Sequence, residues 1–242
     1  MSAGKHRNSF VSGLLIVFVA CFLCPLRVGA GRNNGENILL FWTGQGGLKA
    51  VTLMCVRDPC SPVGIVGIPV DIRISKGGTG PTIAEAFRAV GRQGLTAMLE
   101  ERFEVNIDGY LLVDQSTLDK LSRIVGPVVM GDRVATMSEV FEGTYTEDEI
   151  EPQSEIRLLA AQLVKPQVLV KAPQLVCIFS SEVKTNLGIK SVWNIYRAVE
   201  RQGPGILRKK ALTGRYCHAG DRRYREVPQE AWVKVLNEVT RI

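Results

Sequence analysis

Positions 10 to 24 run without a charge, Phe-Val-Ser-Gly-Leu-Leu-Ile-Val-Phe-Val-Ala-Cys-Phe-Leu-Cys, directly behind Lys5, His6 and Arg7. A basic flank followed by an apolar stretch is the layout of a secretory leader. At about 15 residues the stretch is longer than many leader cores, yet short of the ~20 that cross a bilayer as a helix. Two readings of residues 1–30 therefore stay open, a cleaved signal peptide and a membrane anchor. Val28-Gly29-Ala30 offers small residues for cleavage before Gly31, and Arg27 so close to the apolar run suits an anchor less well under the positive-inside rule. A lipoprotein-type cleavage at Cys21 would put Phe18 at a position that Phe fits poorly, and the basic flank argues against a buried core helix. Either main reading places the rest of the chain outside the cytoplasm, at the outer face of the cell membrane or, after cleavage, secreted.

Gly31 to Glu36 is polar and rich in Gly and Asn, a linker, and the alternation of elements begins at about residue 37 and continues to 242. Ile38 to Trp42, Ala50 to Val56 and Gly64 to Val70 are short apolar runs rich in β-formers and predict three buried strands. From Pro81 to Phe103 the period changes to that of a helix, with Ile83, Phe87, Val90, Met98 and Leu99 on one face, Glu85, Arg88 and Arg92 on another, and a relaxation at Gly91 or Gly94. Val105 to Val113 predicts a central strand. Ser116 opens a helix that turns Leu118, Leu121 and Ile124 inward, and Gly126-Pro127 stops it; Val128 to Ala135 predicts a small hairpin around Gly131-Asp132.

A polar acidic stretch from Glu139 to Glu155 interrupts the pattern. Helical periodicity returns over 155–165, more loosely over 168–179, and again over 189–201. Ile206 to Leu212 and Tyr224 to Val227 read as late strands, and Pro228 starts a last helix with Trp232, Val235, Leu236 and Val239 on its inner face. The alternation predicts an α/β domain over 37–242, with a central, largely buried mixed β-sheet and helices on both faces.

Composition adds little to the fold and more to the partners. A hydrophobic fraction of 45% over 242 residues supports a core without staples, and a net charge of +6 favours anionic partners. Behind a leader these are lipid headgroups, phosphate-bearing lipid carriers and acidic wall polymers; nucleic acid is excluded by compartment. Cys55 and Cys60 bracket Val-Arg-Asp-Pro, a turn sequence between two predicted strands, which leaves open a disulfide across a hairpin or two free thiols. A Cys-x4-Cys spacing without a second ligand pair gives no zinc site, and no metal is expected from it.

The order of several segments resembles the LytR-CpsA-Psr family of membrane-tethered bacterial envelope proteins, over roughly residues 37 to 240. Glu36 to Leu40 resembles its opening strand, Gly67-Ile-Pro-Val-Asp71 its Ile-Pro-Arg-Asp element, and Ile83 to Gly91 its Ile-Asn-x-Ala-Tyr helix start. Ile107 to Asp114, Ser181 to Leu187 and Arg223-Tyr-Arg-Glu-Val-Pro228 resemble later segments in the same order. The resemblance implies a three-layer α-β-α domain and a transfer of phosphorylated glycan polymer from a polyprenyl-pyrophosphate carrier to the cell wall. That activity uses magnesium and a ring of arginines, because carboxylates must hold the cation against the pyrophosphate while guanidiniums neutralise the remainder. This chain departs from the pattern where the charges fall. A family carboxylate aligns with Lys49, an earlier one with Gly44 or Gln45, the arginine of Ile-Pro-Arg-Asp with Val70, and only Arg157 stands near the Arg-x-x-Arg-Gln helix.

The candidate ligand contacts are Asp71 and Arg73 behind the third strand, Arg88 and Arg92 one helical turn apart, and Arg157. Each has a plainer reading beside it: a solvent-facing pair at a strand end for the first, and an Arg88 paired with Glu85 on a wet helix face for the second. Glu147 to Glu151 reads as a solvated acidic loop, and Arg208-Lys-Lys210 and Arg222-Arg-Tyr-Arg225 either face anionic headgroups or alternate on solvated strands. Ser180, Ser181, His218 and Asp221 have no spacing that joins them in a triad. The leading expectation is a non-catalytic, lipid- or polymer-binding or regulatory envelope protein with no cofactor. A transferase with a rearranged site, using magnesium, and a structural ectodomain without lipid ligand are the alternatives.

Overall fold

The computed structural model describes residues 35–57, 61–74, 80–130, 133–136, 162, 166–188, 207–220 and 222–240. The leader, the acidic stretch after Ser138, the helix expected over 189–201 and, but for Gln162, the helix expected over 155–165 lie outside the described residues.

Three strands come first: β1 (Glu36–Gly44), β2 (Gly47–Val56) and β3 (Val63–Ile68), joined as antiparallel neighbours. Their side chains are buried on both faces, the signature of strands with layers above and below. Helix α1 (Ile83–Phe103) carries the chain to β4 (Gly109–Asp114), which pairs parallel with β1, and α2 (Gln115–Val125) follows at once. A small hairpin of β5 (Val128–Met130) and β6 (Arg133–Ala135) comes next. Then come the short α3 (Pro166–Leu169), α4 (Ala172–Glu182) and β7 (Lys184–Thr185). The chain ends with β8 (Leu207–Ala211), β9 (Arg215–Ala219), β10 (Arg222–Glu226) and α5 (Gln229–Thr240).

The main sheet has the order β7-β4-β1-β2-β3-β8 and is mixed, with β1/β4 and β3/β8 parallel. One face buries Leu39, Phe41, Leu53 and Val66 against α1 and α5, where Phe103 meets Trp232 edge-on at 5.1 Å. Against β1 and β4 on the other face lies α2, backed by α4 through Lys120–Glu182 at 2.7 Å. The expected α/β architecture is therefore the observed one. All four inward residues expected in the last helix are buried. Among the described residues no helix is long and apolar enough to cross a membrane.

Local departures have local causes. Gly91 (φ 67°, ψ −170°) breaks α1 and resets the helical phase, so Val90 is 48% exposed, while Ala86 and Leu95 are buried with Ile83 and Leu99. The strand expected from Val105 begins only at Gly109. Before it, Ile107 N–H donates to Glu100 Oε1 at 2.8 Å and Asp108 N–H to the Asn37 carbonyl at 2.8 Å. Asp114, not Ser116, caps α2 by accepting from Thr117 N–H at 2.7 Å, and Val125 rather than Ile124 closes its inner face. Burial alone would raise the Asp114 carboxyl, but the Thr117 and Ser116 donors outweigh it and hold the group below its ordinary value. Cys55 is a free thiol, fully buried and pushed up to about 12 by that burial; its partner in the expected disulfide, Cys60, lies outside the described residues.

Candidate functional site

Strands β1, β3, β4 and β8 all point the same way, so their carboxyl ends share one edge of the sheet, the usual place for ligand contacts in such folds. Past β3 the chain turns at Pro69 and continues extended through Ile74. Ile72 and Ile74 sink into the core, which by strand alternation leaves Asp71 and Arg73 facing outward. Alongside runs β10, whose Arg225 N–H donates to the Asp71 carbonyl and whose Arg225 carbonyl accepts from Arg73 N–H, each at 2.9 Å. This docks the separate β9–β10 ribbon onto the strand end.

The docking gathers charge. Arg225, with a side chain only 4% exposed, lies 3.5 Å from Asp71 Oδ2 and donates to the Tyr216 hydroxyl. The Arg73 guanidinium stands 3.5 Å over the Tyr224 ring, and Arg223 stands 3.5 Å over Tyr216. Arg222 reaches Glu85 at 3.1 Å. Glu85 in turn forms a capping box with Thr82, the residue that bridges Arg73, so the start of α1 belongs to the same cluster. The hydrogen bonds from Thr82, with Arg222 and Arg73 nearby, hold the Glu85 carboxyl below its ordinary value. Cys217 faces this cluster across from Tyr224, with its thiol raised by desolvation and by Glu226.

Of the residues singled out in the sequence, Asp71 and Arg73 lie in this cluster. Arg88 and Arg92 do not form the phosphate clamp, because Gly91 interrupts the helix between them. Arg92 lies 3.5 Å over Tyr110 on β4, which stands three strands away from β3, or about 14 Å. Arg88 is exposed, and the partner expected for it, Glu85, is taken by Thr82 and Arg222. Arg157 and the acidic run 147–151 lie outside the described residues. The hydroxyls of Ser180 and Ser181 donate to helix carbonyls on α4, while His218 sits on β9, so no triad forms among these. The cluster members missed in the sequence are Tyr216, Thr82 and Glu85. The Thr-x-x-Glu spacing of the last two was a legible capping box.

Magnesium, which the resemblance implies, does not fit what stands at this edge. The β1–β2 turn closes with Gly44 opposite Gly47, and the irregularity between Trp42 and Thr43 leaves Lys49 as the extra residue of the bulge. Lys49, and Gly44 or Gln45, stand at the two positions where the resemblance calls for carboxylates, and Asp71 is engaged by Arg225. Among the described residues no three His, Cys, Asp or Glu side chains come together as a metal site.

No protein-family profile matches the chain, and no curated protein does. Solved structures do. TagV of Bacillus subtilis superposes with a TM-score of 0.66 at 16% identity, covering 86% of this chain and 97% of that one. The B. subtilis protein yvhJ, described as a transcriptional regulator, gives 0.64 at 16% identity over 86% and 96%. TagT bound to LIIa-WTA gives 0.58 at 14% identity over 88% and 93%. The fold is that of the LytR-CpsA-Psr proteins. The ordered segments read in the sequence were therefore a true guide to a LytR-CpsA-Psr architecture.

Proposed function

We propose that this chain is a membrane-associated, extracytoplasmic envelope protein that binds a polyprenyl-phosphate lipid or an anionic wall polymer without transferring it. The observation that carries this reading is the pairing of Lys49 and Gly44 at the β1–β2 turn with an Asp71 committed to Arg225. Two adjacent phosphates can be held there by guanidiniums, but among the described residues no carboxylate pair stands there to hold a cation against them and stabilise charge on a leaving group. The solved complex of TagT with LIIa-WTA supports a ligand of this class, and the apolar run at 10–24 supports the membrane side. The test is incubation of the purified chain with a polyprenyl-pyrophosphate glycan, magnesium and wall acceptor. The expected result is binding with neither phosphate release nor polymer transfer, and turnover would contradict it.

One observation favours a second reading, that of a transferase with a rearranged site: Asp71 and Arg73 do stand together with three further arginines at the strand end. That reading requires Arg73→Ala to reduce turnover by at least about tenfold, the scale of one lost electrostatic contact to the reacting group.

A further inference from the structure

Helix α2 starts behind Asp114, the carboxyl end of β4, and packs on β1 and β4, so it runs back toward the amino ends of both strands. Helix α4 lies antiparallel to it. Its last residue, Glu182, meets Lys120 and Thr117, while Lys171, just before its start, donates to the Ile124 carbonyl at 3.4 Å. Only Gly126 and Pro127 separate α2 from β5. The end of α2, the start of α4 and the β5–β6 hairpin therefore share the pole where β1 begins, opposite the strand-end edge and its arginines.

Apolar surface collects at this pole. In the hairpin Val128 stands opposite Ala135, and both are buried, which sets that face inward. The next pair, Val129 and Val134, alternates outward and is 54% and 66% exposed. Val170, between α3 and α4, is 82% exposed, and among the described residues the only other exposed large apolar side chain is Val90 on α1. A single exposed valine needs no partner, but three at one pole mark a contact surface. Exposed cations flank them: Arg123 on the last turn of α2, and Lys171 next to Val170. The sequence ahead of β1 supplies the direction. Residue 35 enters β1 at this same pole, and only positions 25 to 34 separate it from the uncharged run that ends at Cys24, a reach of at most about 35 Å.

We propose that this pole is a membrane contact in addition to the leader, with Val129, Val134 and Val170 set into the headgroup layer of an anionic bilayer and Arg123 and Lys171 on its phosphates. Valines bury apolar area there while the cations stay in the polar layer, as an interfacial surface requires. A second copy of the chain fits less well, since a two-fold contact through this pole would pair a cationic patch with itself. β1 is nine residues long, about 30 Å, so docking here holds the Asp71–Arg225 cluster that far from the bilayer and turned toward the wall. The proposal rests on the membrane-associated reading above, and not on what the strand-end edge binds.

The experiment places the full chain in nanodiscs of phosphatidylcholine and phosphatidylglycerol whose acyl chains carry bromine, which quenches any indole that reaches them. The difference from the parent isolates each added indole. Val134→Trp and Val170→Trp are expected to be quenched, and Thr213→Trp, behind β8 at the opposite edge, is expected not to be. All three positions are exposed, so the variants keep the fold, which a thermal melt verifies. In the Val134→Trp background, Val170→Ser is expected to lower the ratio of docked to undocked chain about tenfold through lost apolar burial. Arg123→Gln is expected to lower it about fivefold, the worth of one cation at an anionic surface. Lys120→Gln, whose ammonium is paired with Glu182 away from this pole, should leave the ratio unchanged. An unquenched indole at Val134 or Val170 in discs that hold the chain overturns the proposal, as does equal quenching of Thr213→Trp. A doubled mass in native mass spectrometry together with unquenched indoles overturns it in favour of a second copy. A chain that enters no disc contradicts the membrane-associated reading and this proposal with it.

Discussion

The two hairpins that border the strand-end edge are opposites. The β1–β2 turn is built from Gly44, Gln45, Gly46 and Gly47, with one exposed ammonium, Lys49, bulged out behind it. On the β9–β10 ribbon, arginines sit on tyrosine rings, with one guanidinium buried against a carboxylate. Charge at the first faces solvent; charge at the second is part of how the ribbon is attached. The difference teaches that electrostatic function in this domain has to be sought at the ribbon, although the resemblance directs attention to the turn.

The largest expected effect tests that attachment. Asp71→Ala leaves Arg225 buried without its carboxylate and should cost about 1–3 kcal/mol, discounted because Asp71 itself is partly exposed. Denaturant unfolding measures it, and Asp71→Ala with Arg225→Met should recover part of the loss if the unpaired charge is its source. An intermediate effect is expected on each side. Thr82→Ala removes the cap beneath the ribbon's contact with α1 and should cost about 1 kcal/mol. Gly47→Ala places a side chain at φ 101° and should cost a similar amount, about 1 kcal/mol, through backbone strain alone.

A smaller effect is a matter of pH. Because the Glu85 carboxyl is lowered in the folded state, its contribution is present above the ordinary value of 4.5 and is lost as pH falls through the lowered native value. The stability gap between the parent and Glu85→Gln should therefore be open at neutral pH and close in acid; a gap constant with pH would remove Glu85 from the ribbon's electrostatics. The smallest effect is at the turn, where Lys49→Asp should change stability by no more than about 0.5 kcal/mol, and a large change would show that the bulge is not the inert feature described.

Much of the fold was legible because burial writes itself into the sequence at fixed periods. Ile38 to Trp42 and Trp232 to Val239 show it on strand and helix. The break in α1 was legible as a glycine, but its consequence was not: resetting the phase moved Val90 out and separated Arg88 from Arg92, and periodicity over an unbroken helix could not show that. Asp71 and Arg73 were legible as strand-end residues. Their partners were not, because Tyr216, Tyr224 and Arg225 lie about 150 positions away and reach Asp71 through a single β-bridge that no local pattern encodes. Strand β9 went unread for the same reason, since Arg215 to Ala219 is half-exposed and carries no apolar alternation.

Native mass spectrometry of the full chain, extracted from its own membrane, addresses the central claim most directly, that the molecule holds a phosphate-bearing lipid or polymer and leaves it intact. The account predicts an adduct with the mass of an unhydrolysed polyprenyl-phosphate species or a phosphate polymer. A bare chain, or one carrying only the hydrolysed lipid, would contradict it.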